Sequence, residues 1–451
     1  MQPSIRTFLT GLLMAGALVT AAGAQRGSNL ALMHDEIARR TAVVMPKVVA
    51  WRRDIHEHPE LSGDEVRTSA LVAAHLRTLG MEVTTGVGGH GVVGLLRGGR
   101  PGPVVALRAD MDALPVEELV DLPFKSKVRA TYNGQQVGVM HACGHDNHVA
   151  MLMGAAEVLA GMKATLPGTV KFIFQPAEEG APNGEGGAAP MIRAGVLESP
   201  KVDAVFGLHV FPGALGSVGY RVGPLMAASN SFTLTVRGRQ THGAAPWAGV
   251  DPIVVGSQIV MGLQTIISRQ VDITSVPAIV TVGAINGGIR SNIISDSVVM
   301  IGTIRTFDAT QRQQIFANMK RTAEQIAFAS GATAAFVVDS GYPVTVNDTA
   351  LTTQMLPTIR WAAGNAGAVV RPLVTGAEDF SYFQEKVPGV FVMLGVTPTG
   401  QNPATVAANH SPYFFADEAA LPNGVRVMVA LAADFLAAGG RNAPAAGTAG
   451  R

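Results

Sequence analysis

The alternation of apolar and polar positions divides the chain into a first series of helices and strands. Residues 36–55 read as a helix that closes at Pro59, which cannot continue it. Residues 69–79 predict a second helix, stopped by Gly80. Short β-branched runs at 92–96 and 104–108, with turn residues between, predict two strands paired with each other. In 146–161 the apolar residues Val149, Leu152, Met153, Ala156, Leu159 and Ala160 recur at helical spacing. The runs 170–174 and 204–208 read as buried strands. Strands alternating with helices predict an α/β sheet.

The composition shifts near Gly223-Pro224. Residues 231–236 alternate as a strand, 253–268 are helical, and 278–285 and 297–306 are strand-like. A helix over 309–330 and a strand over 334–338 complete the order β-α-β-β-α-β, a ferredoxin-like split unit. The expectation is an inserted domain at 223–340 with four antiparallel strands and two helices. The first domain then comprises 25–222 and 341–440. Its second part holds a helix at 351–364, a strand at 390–394 and a last helix at 419–438. The tail 441–451, rich in Gly, Ala and Pro, is expected to be disordered.

Composition adds two constraints. Hydrophobic residues make up 47% of the 451 and charged ones 15%, which fits a compact soluble protein. The net charge is +1, giving no electrostatic case for nucleic acid or an acidic membrane surface. The first 24 residues read as a signal peptide: Arg6, an apolar run at 8–19, then Ala22-Gly23-Ala24 as a small-x-small cleavage site before Gln25. The mature protein is therefore expected to be exported, periplasmic or secreted, without stable membrane association after cleavage. Export gives meaning to Cys143, the only cysteine. It has no intramolecular partner for a disulfide, so burial or metal coordination must protect it from oxidation.

Cys143 lies in the chain's most informative stretch, His141-Ala142-Cys143-Gly144-His145-Asp146-Asn147-His148. Imidazole nitrogen, thiolate sulfur and carboxylate oxygen bind divalent transition metals, and glycine permits the bend a short chelate needs. The bland alternative is a polar loop capping the next helix. A second candidate is Glu178-Glu179, just after an apolar strand, where one carboxylate can bind metal and its neighbour serve as general base. Most adjacent glutamates are solvated surface charge, but strand carboxyl ends gather functional groups in open α/β sheets. His209 closes another apolar strand, and His410 lies in a distant loop, Asn409-His410-Ser411-Pro412. Alone, each is an ordinary polar residue. Asp110, in Arg108-Ala109-Asp110-Met111-Asp112, can orient a ligand histidine, or with Asp112 cap a turn.

Together and in this order, these five segments resemble the M20 metallopeptidase and amidohydrolase family. The resemblance is strongest to the branch of hippurate hydrolases and plant-hormone amino-acid-conjugate hydrolases. It runs from Arg52 to about Met428 and includes Arg53-x-x-His56-x-x-Pro59-Glu60-Leu61 and Asp251-Pro252-Ile253. Asn292-Ile293-Ile294-Ser295-Asp296 and Gly376-Ala377-Glu378-Asp379-Phe380-Ser381 also belong to it. The family implies an α/β mixed-sheet di-metal catalytic domain with an inserted ferredoxin-like α+β lid and dimerisation domain.

Carried over by motif, two divalent metal ions per subunit would be held by Cys143, His145, Glu179, His209 and His410, with Cys143 bridging. Manganese or zinc is the expected metal; cobalt and nickel also suit the donors. Glu178 takes the position of the general base. Asp110 would steady a ligand histidine, and Glu378-Asp379 would have a supporting role. Relatives outside the branch use a His-x-Asp motif where this chain reads Arg108-Ala109-Asp110. His242, in Gln240-Thr241-His242-Gly243, falls where the family places an oxyanion-stabilising histidine that crosses to the partner of a dimer. Asn292 is a candidate for substrate binding or a strand-start residue, and Trp247 stands where the branch often has a second histidine. The implied reaction is hydrolysis of an N-acyl amino acid, a small-molecule amide, by a metal-activated water whose proton Glu178 takes. The competing readings are an exported di-metal aminopeptidase or carboxypeptidase, and a non-enzymatic exported binding protein.

Overall fold

The computed structural model describes residues 8–181 and 187–441, with backbone alone over 8–28. The first two helices are α1 (Phe8–Glu57) and α2 (Val66–Thr78). The strands Glu82–Val87 (β1), Gly91–Arg97 (β2) and Arg100–Asp110 (β3) precede helix α3 (His145–Gly161). Pro167–Gln175 (β4), helix α4 (Ala188–Arg193), Ala204–Ala214 (β5) and Val218–Tyr220 (β6) follow. The chain then builds Ala228–Arg237 (β7), α5 (Pro252–Gln270), Ala278–Gly287 (β8), Ser297–Thr306 (β9), α6 (Ala309–Ala329) and Thr333–Ser340 (β10). It closes with α7 (Thr349–Ala363), Ala368–Val370 (β11), α8 (Phe380–Gln384), Gly389–Thr397 (β12) and α9 (Leu421–Ala437).

Eight strands form one mixed sheet in the order β1-β2-β4-β3-β5-β12-β6-β11. Strands β4, β3, β5 and β12 run parallel to their neighbours at its centre, and β2 is antiparallel to β4. β4 is buried along nearly its whole length because helices cover both faces, so its pattern is a continuous apolar run. One face packs α1, α3 and α9 into the main core, around Val149, Leu152, Phe172, Phe206 and Phe435. The other carries a smaller core with Ile173, Met191, Phe380 and Phe391. The helix over Glu418–Ala437 is long and apolar enough to cross a membrane, but 72% of its window is buried, as expected of a core helix.

The β-α-β-β-α-β segment makes its own sheet, ordered β8-β9-β7-β10 and wholly antiparallel, with α5 and α6 on one face. Its core of Phe232, Leu234, Ile259, Leu263, Met300 and Met319 is separate from the main one. The chain enters and leaves through a two-stranded antiparallel neck, Gly223–Met226 against Thr345–Asn347.

Some boundaries and pairings differ from the sequence expectation. The strands predicted at 92–96 and 104–108 are not paired: β4 lies between them, antiparallel to one and parallel to the other. Helix α1 starts at Phe8 and continues through Pro46, with no break at 36. The signal-peptide reading falls on residues 1–7, outside the described range, and on 8–24, described by backbone alone; the expected tail also lies outside from 442 on.

Candidate metal centre

The parallel strands deliver their carboxyl ends to one edge of the sheet, and the functional side chains collect there. β3 ends at Asp110, β4 runs into Glu178-Glu179, and His209 sits in the second half of β5. Gly144 caps α3 with φ 92°, a left-handed conformation, and a Cβ there would lie 2.4 Å from Val210 Cγ2. Only glycine permits this turn, which presents Cys143 on one side and His145 on the other. Asn409 fastens the His410 loop by donating to the carbonyls of Cys143 (2.9 Å) and Val210 (3.1 Å). His410, with φ 71°, donates its backbone N–H to the Ala142 carbonyl at 2.8 Å.

All five expected ligands converge. Cys143 Sγ lies 3.3 Å from His209 Nε2 and 3.3 Å from His410 Nε2. His410 Nε2 is 2.9 Å from Glu179 Oε1. The donor atoms of Cys143, Glu179 and His410 lie within 4.8 Å of one another, and so do those of His145, Glu178 and Glu179. Glu179 belongs to both groups, an arrangement that suits two neighbouring cations.

The hydrogen bonds fit that load. His145 donates Nδ1–H to the Asp112 carbonyl (2.9 Å), leaving a buried Nε2 with no hydrogen-bond partner. His209 donates Nδ1–H to the Val210 carbonyl at 2.8 Å, which also frees Nε2. An imidazole tied down at Nδ1 with a free Nε2 is oriented as a metal ligand.

The electrostatics are mixed: they favour a neutral His209 but protonated forms of Cys143, His145 and Glu178, which bound cations would have to displace. Burial holds His209 well below the usual histidine range, and therefore neutral. Burial first, then the Glu179, Glu178 and Asp110 carboxylates, push the Cys143 thiol well up. Only added positive charge makes it a thiolate in this setting, which is what coordinated cations supply. Burial disfavours charge on His145, but Asp110 and Asp112 outweigh it and push it up to about 10. Burial, reinforced by Glu378, Glu179 and Asp379, raises Glu178 well above the carboxylate range.

The expectation for Asp110 needs correction. Its carboxylate is 3.9 Å from His145 Nδ1 and is bonded instead to Nδ1 of His148. His148 in turn accepts the Val210 backbone N–H at 2.8 Å through Nε2. Asp112 does the orienting. Its Oδ1 is 3.2 Å from His145 Nδ1 and accepts the Glu178 N–H at 3.0 Å, while Oδ2 accepts the Glu179 N–H (3.0 Å) and the Ser62 hydroxyl (2.6 Å). One buried carboxylate thus fixes a candidate ligand histidine and the backbone of the glutamate pair.

Arg108 also has a role the motif does not announce. Wholly buried, it reaches Asp110 (2.6 Å), Asp379 (2.7 Å), Glu378 (3.0 Å) and Gln175 (2.9 Å). Asp379 completes the tie by donating its backbone N–H towards Glu178 Oε1 at 3.4 Å. The available sequence signals were slight: His148 is three residues from His145 on the same helix, and Asp112 is two from Asp110.

His242 and Asn292 are brought to each other, not to this cluster. They lie on a short ladder, Thr241–His242 against Ile293–Ile294, extended by Gly243 N–H to the Asn292 carbonyl at 2.8 Å. Both side chains are exposed, and among the described residues no hydrogen bond or ion pair joins either to the metal-ligand cluster.

A largely buried set of thiol, imidazole and carboxylate donors at the strand ends, closed by the exposed His410 and with a second carboxylate alongside, has the chemistry of a metal-dependent hydrolase. The comparisons say which kind: residues 106–434 match Peptidase family M20/M25/M40, and the chain belongs to that family. It is 43% identical to thermostable carboxypeptidase 1 of Saccharolobus solfataricus over 86% of this chain and 95% of that protein. It is 40% identical to IAA-amino acid hydrolase ILR1-like 4 of Arabidopsis thaliana, over 86% of each. A crystal structure of the Bacillus subtilis YXEP protein, described as a dinuclear metal binding peptidase from the M20 family, superposes with a TM-score of 0.74 at 36% identity. That match covers 88% of this chain and 99% of the other. This protein is accordingly a metal-dependent hydrolase of amide bonds, and its cluster fits two divalent metals.

Proposed function

We propose that the protein is an exported amidohydrolase that cleaves N-acyl amino acids. The supporting observation is the position of Glu178: buried, beside the ligand carboxylate Glu179, and within 4.8 Å of the donor atoms of His145 and Glu179. Cys143, His145, Glu179, His209 and His410 would hold two divalent cations, manganese or zinc, with cobalt or nickel also admissible. When bound, these supply a water acidic enough to lose its proton near neutrality and a Lewis acid for the amide carbonyl. Glu178 receives the proton as the carbonyl is attacked, then returns it to the departing amine.

His242 suits oxyanion stabilisation. Its Nδ1 accepts the Ala244 backbone N–H at 2.9 Å, so the ring proton sits on Nε2 as an outward donor. Because His242 is exposed and joined to nothing in its own cluster, it would act on the centre of a second copy, which fits a homodimer formed through the inserted domain. An open cleft of about 480 Å³ flanks the His410 loop, lined by none of the expected metal ligands. Its uncharged lining mixes the polar Gln401, Asn402 and Thr405 with Val406, Tyr413 and Phe415.

Carboxypeptidase action on short peptides is the second reading, favoured by the likeness to thermostable carboxypeptidase 1. A panel of N-acyl amino acids and dipeptides, assayed with added metal and with chelator, separates the two. Turnover of the acyl compounds, abolished by chelator and by Glu178→Gln with metal content unchanged, is the expected result. Dipeptides as the only substrates, or near-normal turnover by metal-replete Glu178→Gln, would overturn the proposal.

A further inference from the structure

The segment that carries the chain back out of the four-stranded unit touches Glu178. Between β10 and the neck strand Thr345–Asn347, Tyr342 directs its hydroxyl to the Glu178 backbone carbonyl. Its own carbonyl accepts the Ser229 N–H at 2.9 Å, joining it to the segment by which the chain enters the unit. The incoming segment is anchored too: the Ala227 N–H reaches the carbonyls of Val374 and Gly376, each at 3.0 Å. The Tyr342 ring meets Tyr382 edge-on, with centroids 6.0 Å apart, just past Glu378-Asp379.

Glu178 is therefore held from three sides. Asp112 takes its N–H at 3.0 Å, the Asp379 N–H approaches its carboxylate at 3.4 Å, and Tyr342 holds its carbonyl. The restraint has a conformational reason. Ala177, immediately before it, has φ 51°, a left-handed backbone that a residue with a Cβ adopts only when its surroundings impose it. Beyond that turn, Asp112 holds the amide of the 177–178 peptide, and Asp112 and Tyr342 hold the amide and carbonyl of the 178–179 peptide.

We propose that Tyr342 is a positioning residue that fixes the Glu178 peptide to the neck of the inserted unit and so aims the general base. This rests on Glu178 being the base. A displacement of the four-stranded unit about its neck reaches the Glu178 carbonyl through this hydroxyl, so the orientation of the base depends in part on the placement of that unit.

Tyr342→Phe removes that hydroxyl and little else. Misplacing a reacting group by a fraction of an ångström costs rate rather than affinity, so kcat on an N-acyl amino acid should fall at least about tenfold, with KM within about twofold. Metal content and melting temperature should match wild type. Tyr382→Phe, at the same neck but without contact to Glu178, should keep its kcat. In a Glu178→Gln background, Tyr342→Phe should cost nothing further, because both changes act through one group. Wild-type kcat in Tyr342→Phe would overturn the inference, as would early melting, lost metal, or an equal loss in the Glu178→Gln background. Retained turnover in Glu178→Gln alone would instead remove Glu178 as the base, a separate failure.

Discussion

Replacing Asp112 by Asn tests how much of the metal centre depends on one side chain that does not itself bind metal. Its two oxygens face four donors: the His145 ring N–H, the Glu178 and Glu179 amides and the Ser62 hydroxyl. Asparagine keeps one acceptor oxygen and presents an NH2 group on the other side. If the oxygen keeps His145 and Glu178, the Ser62 hydroxyl can turn and accept, but the Glu179 amide faces another donor. One buried unsatisfied N–H costs about 1–3 kcal/mol, and the remaining bonds lose their charge assistance, so about 2–4 kcal/mol of stability should disappear. Glu179 and His145 are also released from their orientation, and loss of such supporting partners weakens metal affinity roughly 10- to 100-fold. Urea unfolding of chelator-treated protein measures the first quantity, and competition with a chromophoric chelator the second. Wild-type metal affinity in Asp112→Asn would refute the assignment of Asp112 as the organiser of the centre and restore that role to Asp110.

Further outcomes follow from particular contacts. Arg108→Met leaves Asp110, Glu378 and Asp379 buried around an apolar side chain and should cost about 3–5 kcal/mol in chemical unfolding; a change below about 1 kcal/mol would show that the network relaxes into water. Asp251 caps α5 by accepting the Ile253 and Val254 amides, so Asp251→Ala should lower stability by about 1 kcal/mol, and an unchanged urea midpoint would contradict a functioning cap. Burial lowers the folded-state pKa of His75, with the Met153 carbonyl opposing. The unfolded chain therefore binds the extra proton first, so the His75 contribution is complete above the ordinary histidine range and is lost as pH falls below it. Between about pH 7 and pH 5 the wild type should lose more stability than His75→Gln, and parallel pH curves would refute this.

Only part of the candidate metal centre was legible from local chemistry in the sequence. Cys143 and His145 flank a glycine and Glu178-Glu179 follows an apolar strand, whereas His209 and His410, ordinary residues alone, were placed by the family resemblance. What surrounds them was not legible, because it depends on which distant segments meet. Asp110 and Asp112 are two residues apart in one segment, and only the position of the 177–179 turn decides that Asp112 holds the glutamates. Arg108 looked like a lost ligand position until Gln175, Glu378 and Asp379 were seen around it. The pairing of β2 and β3 failed for a similar reason. Apolar runs announce strands, whereas the neighbour of each is set by the later strand β4 that both bury against. The four-stranded unit was readable in order because its alternation of strands and helices is local; the structure adds Asp251 and Asp308 as side-chain caps of α5 and α6.

The most direct test is to load metal-free protein with cobalt(II) while recording its absorption spectrum and counting equivalents bound. Two ions per chain should bind, with a near-ultraviolet sulfur-to-cobalt band that is absent from Cys143→Ser and weakened in His209→Ala. Saturation at a single ion, or a spectrum indifferent to Cys143, would contradict a two-cation centre built on that thiolate.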